Sequence, residues 1–355
     1  MKKIGIVTIY DNTNYGNRLQ NYAVQQVLRK NGFENVETIK NIDCLNVKSS
    51  VFEYGLRKIK SISWRIKESA DKSLRRKCFK EFNKNIIFSK KYFSMLKNYN
   101  DFDYFIVGSD QVWNPTFKKL RDFQLLNFKT DAKKVAFSAS FGISKLPDEN
   151  IEKTKNALSK FDYISVREDA GKTIINEIVK EKDVTVLVDP TMLLTAEEWG
   201  KLQKKPIQLK TDRYILTYFL GKLSDSRKEE INRIARENNC EVINLEPDSP
   251  YFQSGPSEFL YLEKNAFAIC TDSFHSCVFA ILFNRPFIIF DREDSLTKMN
   301  SRIDTLVKKF NLKNRKFNNK ITEENLNHDY SEAYEILNME RQKANDFLKK
   351  ALDVK

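Results

Sequence analysis

Short apolar, β-branched runs that break at once into polar loops recur along this chain. Ile4 to Ile9 is the first. It gives way to the loop Asp11-Asn12-Thr13-Asn14-Tyr15-Gly16-Asn17 and then to Leu19, Tyr22, Ala23, Val27 and Leu28, whose spacing predicts a helix. The pattern returns at Tyr104 to Val107 before Gly108-Ser109-Asp110, and at Lys134 to Phe137 before Ser138-Ala139-Ser140. It returns again at Tyr163 to Val166 before Arg167-Glu168, and at Val184 to Val188 before Asp189-Pro190-Thr191. Strands that read as continuous apolar runs, each leading through a loop to a helix, imply a parallel sheet covered on both faces.

A second series follows the helix start Thr195-Ala196-Glu197-Glu198-Trp199 and the lysine-rich stretch Lys201 to Lys210. Strands are predicted at Tyr214 to Phe219, Glu241 to Leu245, Phe267 to Cys270 and Phe287 to Phe290, with helices at Ser226 to Asn238 and Val278 to Leu282. Apolar positions between Tyr330 and Leu352 predict one or two closing helices. A chain of 355 residues exceeds the size at which one core usually stops growing. The expectation is an α/β protein of two Rossmann-like domains, residues 1–195 and 196–325, closed by helix at 326–355.

Composition narrows the picture without changing it. With 41% hydrophobic and 31% charged residues the chain is neither disordered nor collagen-like. The apolar run at the N-terminus is too short for a signal peptide, and even Phe279 to Phe290 is interrupted by Asn284, Arg285 and Pro286, so a cytoplasmic protein is expected. Five cysteines without CxxC spacing and only two histidines, His275 and His328, point to reduced thiols and to neither a zinc site nor a His-rich metal centre; no metal site is expected, and any metal would need oxygen ligands. Part of the +13 net charge falls between Arg57 and Lys91. That stretch reads either as a solvated basic helix or as a surface in peripheral contact with an anionic membrane at its inner face. No recognisable nucleic-acid module accompanies the charge, so no nucleic-acid partner is expected.

In open parallel sheets ligands sit beyond the carboxyl ends of the strands, which directs attention to the loops. Thr271-Asp272-Ser273-Phe274-His275 closes a buried strand, and His275 sits near the start of the next helix, where free amides favour an anion and an imidazole can carry a proton. Asp272 either orients His275 or caps that helix. Asn14, Gly16 and Asn17 form a turn or a ligand loop, but not the GxGxxG of a dinucleotide fold. In Gly108-Ser109-Asp110-Gln111-Val112-Trp113-Asn114-Pro115, a carboxylate, an amide and an indole suit a carbohydrate. Equally, Ser109 or Asp110 caps a helix there and Trp113 fills the core.

Taken in order, Asn14 to Ala23, Phe105 to Asn114, Ser165-Val166-Arg167-Glu168, Asp189-Pro190-Thr191, Thr271 to His275, Phe283-Asn284-Arg285-Pro286-Phe287 and Ser301 to Leu306 resemble the polysaccharide pyruvyl transferase family from about residue 4 to residue 310. The resemblance implies a GT-B-like fold with its site in the cleft between two facing domains. It implies transfer of the pyruvyl group of phosphoenolpyruvate, a co-substrate in place of any bound cofactor, onto two hydroxyls of a sugar or lipid-linked oligosaccharide to form a ketal. His275 then acts as general acid or base with Asp272 beside it. The binding residues implied are Asn14, Gly16, Asn17, Ser109, Asp110, Gln111, Trp113, Arg167, Thr271, Ser273, Arg285 and Arg302, with Arg167 and Arg302 clamping phosphate or carboxylate. Where the family often carries arginine this chain has Ser273, so either another arginine, such as Arg285 or Arg292, supplies that charge or this branch uses a different donor. The alternatives are a nucleotide-sugar glycosyltransferase on the same fold, or a non-catalytic glycan- or polyanion-binding protein that uses Arg75 and Arg76.

Overall fold

The computed structural model describes residues 2–41, 70–96, 98–116, 121–247, 249–293, 301–327 and 329–354. Its first unit is a seven-stranded parallel sheet: β1 (Ile4–Val7), β2 (Val36–Lys40), β3 (Phe88–Tyr92), β4 (Tyr104–Val107), β5 (Lys133–Ala139), β6 (Tyr163–Val166) and β7 (Val184–Val186), in the order β3-β2-β1-β4-β5-β6-β7. Around it lie α1 (Tyr15–Lys30), α2 (Ala70–Phe82), α3 (Asp148–Leu158) and α4 (Asp169–Ile178). Every residue of β1 and β4 is buried, which is why those strands read as unbroken apolar runs rather than alternating ones. Strands β2 and β3 escaped the sequence pattern because Glu37, Lys40, Lys90 and Lys91 interrupt them; β3 is an edge strand with two exposed lysines.

The second unit follows α5 (Ala196–Gly200), which opens with a capping box between Thr195 and Glu198. Its sheet has four parallel strands, β8 (Tyr214–Tyr218), β9 (Glu241–Asn244), β10 (Ala268–Thr271) and β11 (Phe287–Ile289), in the order β11-β10-β8-β9. The helices are α6 (Asp225–Glu237), α7 (Pro256–Asn265), α8 (Phe274–Leu282), α9 (Ser301–Lys309) and α10 (Glu323–Leu326), and the chain closes with α11 (Ser331–Ala351). The closing pattern is therefore one helix. It touches both units: the Arg341 guanidinium donates to the carbonyls of Met192 and Leu194, and the Tyr334 hydroxyl donates to those of Ile281 and Leu282.

Two parallel α/β sheets thus face each other in a GT-B-like arrangement. In each, the chain reverses its direction of growth at one place, between β1 and β4 in the first sheet and between β8 and β10 in the second. Those switch points open a crevice at the strand ends, and both open on the same cleft. Arg75 of α2 ties the two units together. It is 7% exposed, lies over the rings of Tyr15, Phe79 and Phe252, and donates to the Thr13 carbonyl of the first unit and to the Phe252 and Ser254 carbonyls of the second. It is therefore not part of an exposed anion-binding face. The rest of the basic stretch up to residue 69 lies outside the described residues, as does His328.

Candidate active site in the cleft

The loop after β1 is shaped from within. Arg18, fully buried, donates through Nη2 to the Ile9 carbonyl at 2.8 Å and to Asn17 Oδ1 at 2.5 Å. Asn17 Oδ1 also accepts from the Asp11 amide, while its Nδ2 donates to Asp110 Oδ2 at 3.1 Å. Asn14 caps α1 by accepting from the Asn17 amide at 3.0 Å. The next position, Gly16, answers a packing demand: a Cβ there would fall 1.9 Å from His275 Nδ1. The glycine thus lets the imidazole of the second unit rest against the first turn of α1.

After β4 the peptide between Gly108 and Ser109 is cis, and Asp110 adopts a left-handed backbone (φ 65°) that aspartate tolerates better than most residues. Ser109 points inward, donating to the Ser138 carbonyl or to Asp189 Oδ2 at 3.0 Å, and does not line the cleft. Asp110 does line it and accepts from Arg167 Nη2 at 3.0 Å. Gln111 lies against Gly142, where a Cβ would meet its Oε1 at 1.9 Å, and its Oε1 accepts from Asn114 Nδ2. Trp113 takes the core role rather than the sugar-platform role: it is fully buried between Phe141 and Phe161 and its indole donates to the Gln124 carbonyl.

From the second unit, Thr271 donates to the Tyr218 carbonyl and accepts from the Ser273 amide, fixing the turn from beneath without reaching the cleft. Asp272 is not bonded to His275 and does not cap α8; the N-cap is Ser273. The Asp272 carboxylate instead accepts from the amides of Leu220 and Gly221, at 2.7 and 2.8 Å, and from Arg292 Nε at 3.1 Å. It joins the loops after β8, β10 and β11, so its place is structural support of the cleft wall. Arg285 precedes β11 and so lies at the opposite end of the sheet, away from the cleft, whereas Arg292 and Arg302 both line it.

The cleft has a volume of about 520 Å³, within the range of small-molecule sites. Asn14, Gly16, Asn17, Asp110 and Gln111 face Ser273, His275, Arg292 and Arg302 across it, while the rings of Tyr15, Tyr218 and Phe259 pack together in its wall. His275 is 7% exposed and, among the described residues, its Nε2 has no hydrogen-bond partner. Burial pushes its imidazole down to about 4, with Arg167 and Arg302 acting the same way against the pull of Asp189 and Asp110. The resting ring is therefore neutral near pH 7. Arg302, also 7% exposed, is pushed down to about 10 by burial and by the charge of Arg167, and remains a cation. Among the described residues its guanidinium makes no hydrogen bond or ion pair, and its Nε is buried and bare.

Arg167, by contrast, is committed: besides Asp110 it bonds Asp189 Oδ2 at 2.5 Å and lies over the Phe274 ring. It orders the carboxylates around His275, which differs from the clamp expected of it. Burial works to raise Asp110 and Asp189, but Arg167 and His275 outweigh it, and both carboxyls sit below their usual range. Asp189 is the residue that sequence reasoning did not single out. It caps the short turn after β7, accepting from the amide and hydroxyl of Thr191. Only the tertiary fold brings its Oδ2 to 3.7 Å from His275 Nε2. Among the described residues no cluster of His, Cys, Asp and Glu could hold a metal ion, and no helix is long and apolar enough to cross a membrane.

No curated protein matches this chain. Among solved structures it is similar to the UDP-GlcNAc 2-epimerase of Neisseria meningitidis bound to UDP-GlcNAc, with TM-score 0.48, 10% identity and 99% of each chain covered. It is also similar to that of Methanocaldococcus jannaschii in complex with UDP-GlcNAc and UDP, with TM-score 0.46, 14% identity, and 96% of this chain and 99% of the other covered. Residues 14–295, which hold Asn14, Gly16, Asn17, Asp110, Arg167, Asp189 and His275, match the family model of polysaccharide pyruvyl transferase, and the chain belongs to that family.

Proposed function

We propose that the protein transfers the pyruvyl group of phosphoenolpyruvate onto two hydroxyls of a sugar in a polysaccharide or cell-surface glycan precursor. The observation that carries this reading is the meeting of an unpartnered imidazole, an unpaired guanidinium and the N-terminus of α8 in one cleft of a chain of this family. Phosphoenolpyruvate brings two anionic groups. Arg302, Arg292 and the free amides of the first turn of α8 offer cationic and dipolar partners for them.

The chemistry then needs one proton carrier used twice. C3 of the enol gains a proton from the His275 imidazolium, leaving positive charge at C2. A sugar hydroxyl bonds to C2 and gives its proton back to the imidazole. The second hydroxyl then bonds to C2 as the C2–O bond to phosphate breaks; phosphate leaves with that electron pair, and the second hydroxyl's proton departs with it. The ring left neutral by the first transfer is the correct form to accept the sugar proton, and a bound anion raises the affinity of the resting ring for the proton that it must first carry. On the opposite wall the carboxylate of Asp110 and the amide of Gln111 are then the partners for sugar hydroxyls, with Asn17 holding Asp110 through Nδ2.

The test is thermal stabilisation. Phosphoenolpyruvate is expected to raise the melting temperature of the wild type, and Arg302→Gln to abolish that rise. Stabilisation by a nucleoside diphosphate but not by phosphoenolpyruvate would instead assign the cleft to a nucleotide-sugar glycosyltransferase.

A further inference from the structure

We infer that Asp189 is the counterion that receives the charged His275, making it a positioning residue for the proton shuttle. The inference rests on the reading of His275 given above and adds a group that the reading does not require.

Asp189 is the N-cap of the 3-10 turn Pro190–Leu193 and is 1% exposed. Its two oxygens divide their work. Oδ1 accepts from the amide and hydroxyl of Thr191, at 3.0 and 2.7 Å, which holds the carboxylate plane. Oδ2 takes Arg167 Nη1 and the Ser109 hydroxyl and faces His275 Nε2 at 3.7 Å, beyond hydrogen-bond reach of a neutral ring. Nε2 is bare in this state, so a proton placed there points at a fixed, buried carboxylate a short movement away.

The other charges around the ring do not duplicate this. Asp110, from the loop after β4, is bonded to Arg167 and Asn17. Glu168 accepts from the amides of Phe141 and Gly142. On the turn that leads into α8, Asp272 is bound to Arg292. Arg167 and Arg302 oppose protonation of the ring, and α1 meets it at Gly16. Among the described residues Asp189 is thus the carboxylate within 4 Å of His275 Nε2.

A chain with two histidines allows a direct test. In protein labelled with 15N-histidine, the His275→Gln spectrum identifies the His275 signal by its loss. In Asp189→Asn the midpoint of the His275 titration is expected to fall by about one unit or more. Turnover of phosphoenolpyruvate at pH 7 should fall about tenfold or more, with its KM little changed. A His275 midpoint unmoved in Asp189→Asn overturns the inference. If that variant does not fold, the wild type decides: on acidification the Nε2 proton should move downfield as it bonds the carboxylate, and a shift left at that of a free imidazolium overturns the inference. Absence of phosphoenolpyruvate turnover in the wild type would count against the proposed reaction, while the titration would still decide the role of Asp189.

Discussion

Among the described residues nothing hydrogen-bonds His275 Nε2, and burying the ring neutral makes stability depend on pH. Its folded value, about 4, lies below the ordinary 6.5, so between those values the unfolded chain holds a proton that the folded chain does not. Stability contributed here is full above pH 6.5, falls as pH drops through that value, and levels off below 4, a loss of about 3 kcal/mol in all. Urea unfolding at pH 7 and pH 5 should show the loss, and His275→Gln should remove that part of the slope; an unchanged slope would mean that the ring is not buried neutral. The histidine itself was legible in the sequence, because an apolar run ending in Thr-Asp-Ser-Phe-His places it at a strand end. The arginines were only partly legible. Arg285 precedes the run Phe287 to Phe290 and therefore belongs at the wrong end of its strand, a signal present in the sequence. That Arg167 is paired while Arg302 is unpaired depends on Asp110 and Asp189, which are 57 and 22 residues from Arg167 and meet it only in the fold. Arg302→Gln is expected to weaken phosphoenolpyruvate binding by about 1.5–3 kcal/mol, roughly ten- to a hundredfold, read as a rise in KM.

Where α1 meets α8, the first turns of two helices from different units touch at one glycine. Gly16→Ala would place a methyl group inside the His275 ring position, with the nearest contact at 1.9 Å, so the ring or α1 must move. Because a shift of about 1 Å at a reacting group can cost a hundredfold, the variant should lose about that much in kcat while α1 still forms, since alanine favours helix over glycine. Full activity in Gly16→Ala would show that the contact does not position the imidazole. The helix was readable from Leu19, Tyr22, Ala23, Val27 and Leu28, and the polar loop before it from Asp11 to Asn17. The glycine's purpose was not, because its partner lies 259 positions along the chain and no periodicity within either helix encodes that approach.

Two sheets with their switch points turned toward one cleft explain why the functional loops fall at such distant places in the sequence. Parallel strands buried on both faces made most of each sheet readable as apolar runs, whereas β2 and β3, crossed by charged residues, left no such trace. The link between units was also hidden: Arg75 in a run of basic residues looks solvated, yet it is buried between rings and bonds carbonyls of both units. Arg75→Ala should lower stability by about 3 kcal/mol in urea unfolding, since it strands buried carbonyls and empties a packed site. A change below about 0.5 kcal/mol would place Arg75 among ordinary surface cations. The most direct test of the central claim is release of inorganic phosphate from phosphoenolpyruvate by the purified protein across a panel of sugar acceptors, alongside His275→Gln. Acceptor-dependent release by the wild type, absent in the variant, is the expected result; no release with any acceptor, or equal release by the variant, would contradict it.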